Sequence, residues 1–160
     1  MGFTHPIRVY WEDTDAGGIV FYANYLKFME RARTEWLRSL GIEQQRLREE
    51  TGGIFVVSET RLKYHRPARL DDQLLVSAHL QEAGSASLII FQRVLLAHAA
   101  GNQREPSNQA TAAHALLCEG SIRIGWVQAS TLRPARLPAS VAQAFSHLLP
   151  STSPIRATQP

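Results

Sequence analysis

Cysteine is nearly missing from this chain of 160 residues: Cys118 stands alone, and one thiol cannot close an internal disulfide. Clusters of metal-binding spacing are missing too. His5, His65, His79, His98, His114 and His147 are scattered, which suits surface and sheet positions, so no metal and no other cofactor is expected. No stretch approaches the roughly 18 consecutive apolar residues of a membrane span. The first ten residues, MGFTHPIRVY, lack the apolar run of a signal peptide, and the expectation is a cytoplasmic protein without a transmembrane segment. Long basic runs are absent as well. The 17 Lys and Arg are dispersed among 14 Asp and Glu for a net charge of +3, which argues against nucleic acid and leaves a mild attraction to phosphate-bearing metabolites.

What remains is enough for one core. A chain of this length with 44% hydrophobic residues buries on the order of 70% of its unfolded surface and needs no covalent staple. One domain is expected over 1–150. The prolines at 134, 138, 150, 154 and 160 mark a C-terminal segment whose last ten residues, 151–160, read as a flexible tail.

Residues 6–12 alternate as a short strand, with Val9 and Trp11 on one face and Arg8 and Tyr10 on the other. From Tyr25 the apolar residues Phe28, Met29, Ala32, Trp36, Leu37 and Leu40 follow helical spacing, and Gly41 ends the run. Lys27, Glu30, Arg31, Arg33, Glu35 and Arg38 fall on the opposite, solvated face. Residues 43–50 suit a short second helix. Beyond Gly52-Gly53 the period becomes two, with Ile54, Val56, Ser58, Thr60, Leu62 and Tyr64 on one side of a strand that ends before Pro67. Further strands are expected at 74–80, 87–96 and 111–127, with a long loop at 101–110 and a helix at 139–149. Strand, long helix, then four strands joined mainly by hairpins is an α+β order: an antiparallel sheet of about five strands wrapped around one helix.

One segment carries candidate chemistry, Trp11-Glu12-Asp13-Thr14-Asp15-Ala16-Gly17-Gly18-Ile19-Val20-Phe21-Tyr22-Ala23-Asn24-Tyr25. Three carboxylates precede two glycines and the start of the longest helix. A carboxylate beside a helix N-terminus shares its site with unpaired backbone N–H groups that favour developing negative charge, so base or nucleophile and oxyanion donors come together. Gly17 and Gly18 let the backbone approach a substrate closely. The plain alternative is equally physical, since Asp, Thr and Gly build turns and acids complement helix starts. A calcium loop fits worse, because Gly17 stands where the third oxygen ligand belongs.

The stretch RVYWEDTDAGGIVFYANYLKFMERARTEWLR, with LKYHRPARLDD further on, resembles the hotdog-fold acyl-CoA thioesterases of the 4-hydroxybenzoyl-CoA thioesterase family, most of all the YbgC type encoded with the Tol-Pal envelope system. The likeness spans roughly residues 6–145. It implies a hotdog subunit whose sheets join edge to edge in dimers, often paired into tetramers, with active sites at the subunit interface. It further implies that Asp15, the second acid of the D-x-D turn, attacks an acyl-CoA thioester or activates water for that attack. Backbone N–H groups near Tyr22 and Ala23 would polarise the carbonyl oxygen.

Ile19, Val20, Tyr25 and Phe55 are the expected lining of the acyl pocket, while Arg61, Lys63 and Arg66 are the candidates to meet the phosphates of CoA. Two departures stand out. Tyr22 replaces the His usual in the YbgC type, and Gly84-Ser85-Ala86 replaces a basic cluster that grips the nucleotide in the benzoyl-CoA enzymes. The second leaves acyl carrier protein open as the carrier, and with the first it leaves a non-catalytic module that binds acyl-CoA or acyl carrier protein as the alternative.

Overall fold

The computed structural model describes residues 2–101 and 114–149. Five antiparallel strands, β1 (Phe3–Arg8), β2 (Gly53–Tyr64), β3 (Gln73–Ala83), β4 (Ser87–His98) and β5 (Ala115–Gln128), form one sheet in the order β1-β3-β4-β5-β2. The long helix α1 (Asn24–Ser39) lies across the inner face of this sheet, and α2 (Gln44–Thr51) and α3 (Ala139–Ser146) flank it. A helix held in the curve of an antiparallel sheet is the hotdog architecture.

Helix α1 forms because its apolar side chains recur every three or four residues. Tyr25, Phe28, Met29, Ala32, Trp36 and Leu37 are all buried against the sheet. The sheet answers with alternating residues, of which Ile122, Ile124 and Trp126 on β5 and Leu88, Ile90 and Val94 on β4 are buried. Each such side chain contributes about 1.5–3 kcal/mol of transfer free energy, so this seam is the main source of stability. Trp36 also packs on Phe145 of α3, ring centroids 5.6 Å apart, closing one end of the core. Pro6 is tolerated because β1 is an edge strand.

Register irregularities at Val57/Glu59, Leu80/Glu82 and Val94/Leu95 bend the sheet around the helix. At Leu62–Gly120 the two strands come so close that a Cβ on Gly120 would sit 2.0 Å from the Arg61 carbonyl oxygen, which excludes any side chain there.

Three sequence readings are corrected. The first strand covers 3–8, not 6–12, because Asp13 competes for the backbone. Its carboxylate accepts the Tyr10 N–H at 2.8 Å while its own N–H reaches the Tyr10 carbonyl, so Trp11–Asp13 turns as a 3₁₀ segment. Trp11 is therefore exposed while Val9 is buried. Arg33 leaves the solvated face assigned to it and is buried among the apolar stripe. The extra residue Ser58 at the β2 bulge reverses the facing, so Phe55, Val57, Thr60, Leu62 and Tyr64 oppose Trp126, Ile124, Ile122, Gly120 and Cys118 on the inner side. The expected loop, apart from Gly101, and the tail lie outside the described residues.

Candidate active site

The acidic segment folds into a small hairpin. Asp15 N–H donates to the Ile19 carbonyl at 2.9 Å, Gly18 N–H returns to the Asp15 carbonyl at 3.0 Å, and Thr14 bridges Val20. Gly18 closes the tip at φ +74°, a backbone state that a side chain resists. The root is fixed by Asp13, 5% exposed, whose backbone carbonyl accepts both the Phe21 N–H at 3.0 Å and the Asn24 side-chain amide at 2.8 Å. The hairpin is thus tied to the first residue of α1.

At the tip the Asp15 carboxylate is exposed, and Oδ1 accepts the Gly17 N–H at 2.8 Å. No other hydrogen bond of the described residues engages that carboxylate. The return strand of the hairpin runs straight into α1, whose N-cap residue Ala23 supplies no side-chain cap. Among the described residues nothing occupies the N–H groups of Tyr22 and Ala23. Such groups carry the positive end of the helix dipole.

Beside the hairpin is an open hollow of about 290 Å³ lined by Ile19, Val20, Tyr22, Tyr25, Tyr64 and the segment His65–Pro67. Its tyrosines interlock. Tyr25 and Tyr64 meet edge to face at 5.5 Å, and Tyr22 and Tyr64 at 6.4 Å. Two of the three hydroxyls are engaged: Tyr25 Oη accepts the Ala68 N–H at 2.9 Å, and Tyr64 donates to the Tyr22 carbonyl at 2.8 Å. Burial raises the pKa of both phenols, so they stay protonated at neutral pH. The hollow is lined mainly by rings and aliphatic groups, with His65 and Arg66 also among its lining. His65 is held by Glu119 at 3.2 Å, which also takes Arg93 at 3.3 Å.

Of the sequence-predicted residues, the structure brings Ile19, Val20, Tyr22, Tyr25 and Arg66 to this hollow, with Asp15, Gly17, Gly18 and Ala23 on the hairpin and helix start that border it. It does not bring Phe55, Arg61 or Lys63 there. Phe55 lies at the other end of β2, against the Trp126 ring at 4.9 Å, and within one chain it does not meet Ile19 or Val20. Arg61 is on the outer side of the sheet, paired with Glu59 at 2.7 Å, and Lys63 stands opposite Glu119 on that same side. In the sequence Tyr64 is one strand residue among others, and no signal there distinguishes it from a packing tyrosine. Cys118 is buried, and burial pushes its thiol up to about 12, so it is no nucleophile at neutral pH. Among the described residues no group of three or more His, Cys, Asp or Glu is disposed to hold a metal, and no helix is long and apolar enough to cross a membrane.

An antiparallel sheet of five strands wrapped around one long helix is the fold of the hotdog thioesterases. The model of the thioesterase superfamily matches residues 17–98. The chain is similar to the acyl-CoA thioesterase YbgC of Haemophilus influenzae, 38% identical over 92% of this chain and 96% of that one. It is also similar to the acyl-CoA thioester hydrolase YbgC of Escherichia coli O6:H1, 37% identical over 89% and 95%. Among solved structures, a probable thioesterase from Bartonella henselae superposes with a TM-score of 0.71 at 26% identity, covering 86% of this chain and all of that one. The chain belongs to the thioesterase superfamily, and within it to the YbgC acyl-CoA thioesterases.

Proposed function

We propose that the protein hydrolyses acyl-CoA thioesters to a free carboxylic acid and CoA, with Asp15 as the base or nucleophile. The observation that carries this reading is the exposed Asp15 carboxylate, set by the Gly17 N–H on a hairpin that leads into the N-terminus of α1. As a base, Asp15 takes a proton from water as the water oxygen bonds to the thioester carbon. As a nucleophile, it forms a mixed anhydride that water then cleaves. In both routes the carbonyl oxygen becomes negative, and the Tyr22 and Ala23 N–H groups are the donors that receive it. The C–S bond then breaks and the thiolate leaves as CoA. The ring-lined hollow suits an apolar part of the substrate, and Arg66 is the cation at its edge that suits a phosphate-bearing thiol.

Assembly through β2 belongs to this reading. That strand ends the sheet with its outer edge unpaired among the described residues, and Val57 on it is half exposed. An edge of 12 residues invites pairing with a second copy, by which two chains share their sites, and two such dimers would make the tetramer. A single unbridged cysteine fits a reducing, cytoplasmic setting.

Thiol release from short, long and aromatic acyl-CoAs and from acyl carrier protein thioesters tests the proposal. Turnover in the wild type and its loss in a folded Asp15→Ala are the expected results. Binding without release across the whole panel would replace the enzyme with an acyl-thioester-binding module. Label found in Asp15 after single turnover in ¹⁸O water establishes the anhydride route, because the base route puts the label only in the released acid.

A further inference from the structure

Helix α1 carries a buried cation that has no carboxylate partner within its own chain. Arg33 is 8% exposed, its Nη1 donates to Gln92 Oε1 at 2.9 Å, and no ion pair of the described residues includes it. Gln92 is fully buried and uses its Nε2 on the carbonyls of Met29, at 3.0 Å, and Ser77, at 3.2 Å, so α1, β3 and β4 meet in one polar knot. A guanidinium withdrawn from water onto one neutral acceptor is a costly arrangement unless a carboxylate joins it. Glu30 is the carboxylate nearest to hand on the helix. It is exposed and turned to the Thr34 hydroxyl, which it accepts at 3.0 Å. Burial lowers the pKa of Arg33, and the Glu30 charge offsets part of that shift without closing a bond.

No sealed side-chain nitrogen or oxygen of the described residues lacks a hydrogen-bond partner. Arg33 Nε and Nη2 have no partner among these residues, so both reach the groove of about 160 Å³ between α1 and the outer edge of β2. Glu30, Arg33 and Leu37 stand on its helix side, Phe55 and Val57 on its strand side. Pairing through β2 covers this groove. A strand joined antiparallel to its own copy creates a two-fold axis beside β2, and the flank of α1 that overlooks the edge meets the same flank of the other α1, running the opposite way. On that flank Glu30 and Arg33 are separated by about 4.5 Å of helix rise. An axis that crosses between them sets each carboxylate against the opposite guanidinium, twice over.

We propose that Arg33 Nε and Nη2 donate to the partner's Glu30, and that these two symmetric ion pairs make the β2 edge specific for a second copy of this chain. The proposal rests on the pairing through β2 and adds what selects the partner. Backbone groups on a strand edge accept any other strand. A foreign strand without the carboxylate would seal Arg33 unpaired, and that penalty excludes it.

Sedimentation velocity of the full-length protein across concentrations reads the dimer. Arg33→Gln and Glu30→Gln should each weaken it about a hundredfold, tenfold for each lost pair, with circular dichroism unchanged. Glu30 is exposed and lies outside the Gln92 network, so Glu30→Gln tests the pair in a folded chain even where Arg33→Gln loosens the core. Mixing the two variants separates a contact between chains from one within a chain. The Arg33→Gln chain keeps Glu30 and the Glu30→Gln chain keeps Arg33, so a mixed dimer regains one ion pair while neither homodimer has any. With one variant ¹⁵N-labelled, native mass spectrometry of an equimolar mixture should find about nine dimers in ten mixed, from a tenfold gain in affinity, against the half that random pairing gives. A dimer that Glu30→Gln leaves at full affinity, or random mixing, would overturn the ion pairs and leave the β2 pairing standing. A wild type that sediments as a monomer at every concentration removes the β2 pairing and the ion pairs with it.

Discussion

Asp13 and Asp15 sit two residues apart on one hairpin and have opposite environments. Asp13, at the root, is buried, its carboxylate taken by the Tyr10 N–H and its carbonyl by Phe21 and Asn24. Asp15, at the tip, is exposed and holds one N–H, that of Gly17. The same functional group is a brace where the backbone closes over it and, in the proposed mechanism, a reagent where it opens to solvent. Precision at the tip depends on rigidity at the root.

The largest break in this contrast is at the tip. Asp15→Ala should lower kcat by about 10³-fold with an unchanged melting curve, measured by thiol release and circular dichroism. Asp13→Ala should do the reverse in kind. It leaves the Tyr10 N–H without its acceptor and should cost about 2 kcal/mol in denaturant unfolding, with activity falling only as the hairpin loosens. If Asp13→Ala removed activity without loss of stability, the two roles would have to be exchanged. Gly18→Ala forces a side chain into a left-handed conformation and should cost about 1 kcal/mol. Tyr64→Phe should be smaller still, about 0.5 kcal/mol of transition-state stabilisation, or roughly twofold in kcat. The least change is expected at Cys118: with the thiol near 12 and sealed from solvent, Ellman's reagent at pH 8 should titrate no thiol until the protein is unfolded.

The helix was legible because its stripe is long and regular; every apolar residue placed on it from Tyr25 to Leu37 is buried. The order of elements along the chain was legible from hairpin spacing and from the resemblance of the D-x-D segment, but not the pairing of β2 with β5 across the sheet rather than with β3. Three features escaped, each for a local reason. Asp13 reads as one acid among three until its backbone partners are known. Arg33 reads as a charge on a solvated face, because only the tertiary partner Gln92 draws it inward. Phe55 reads as a neighbour of Ile19 and Val20, but a strand of 12 residues separates its ends by roughly 40 Å, so within one chain they do not meet. Distance along an extended strand is invisible to a reading of residue types.

The hydroxyl of Tyr64 has an effect that reaches past the hairpin it tethers. The carbonyl it donates to, that of Tyr22, belongs to the same peptide unit as the Ala23 N–H. Drawing electron density toward the oxygen of an amide leaves its hydrogen more acidic, so one phenol on a strand strengthens a backbone donor at the head of the helix by induction through a single planar group. The proposed oxyanion donor at the helix start is thereby adjustable from β2, through a hydroxyl that itself bonds only to the backbone.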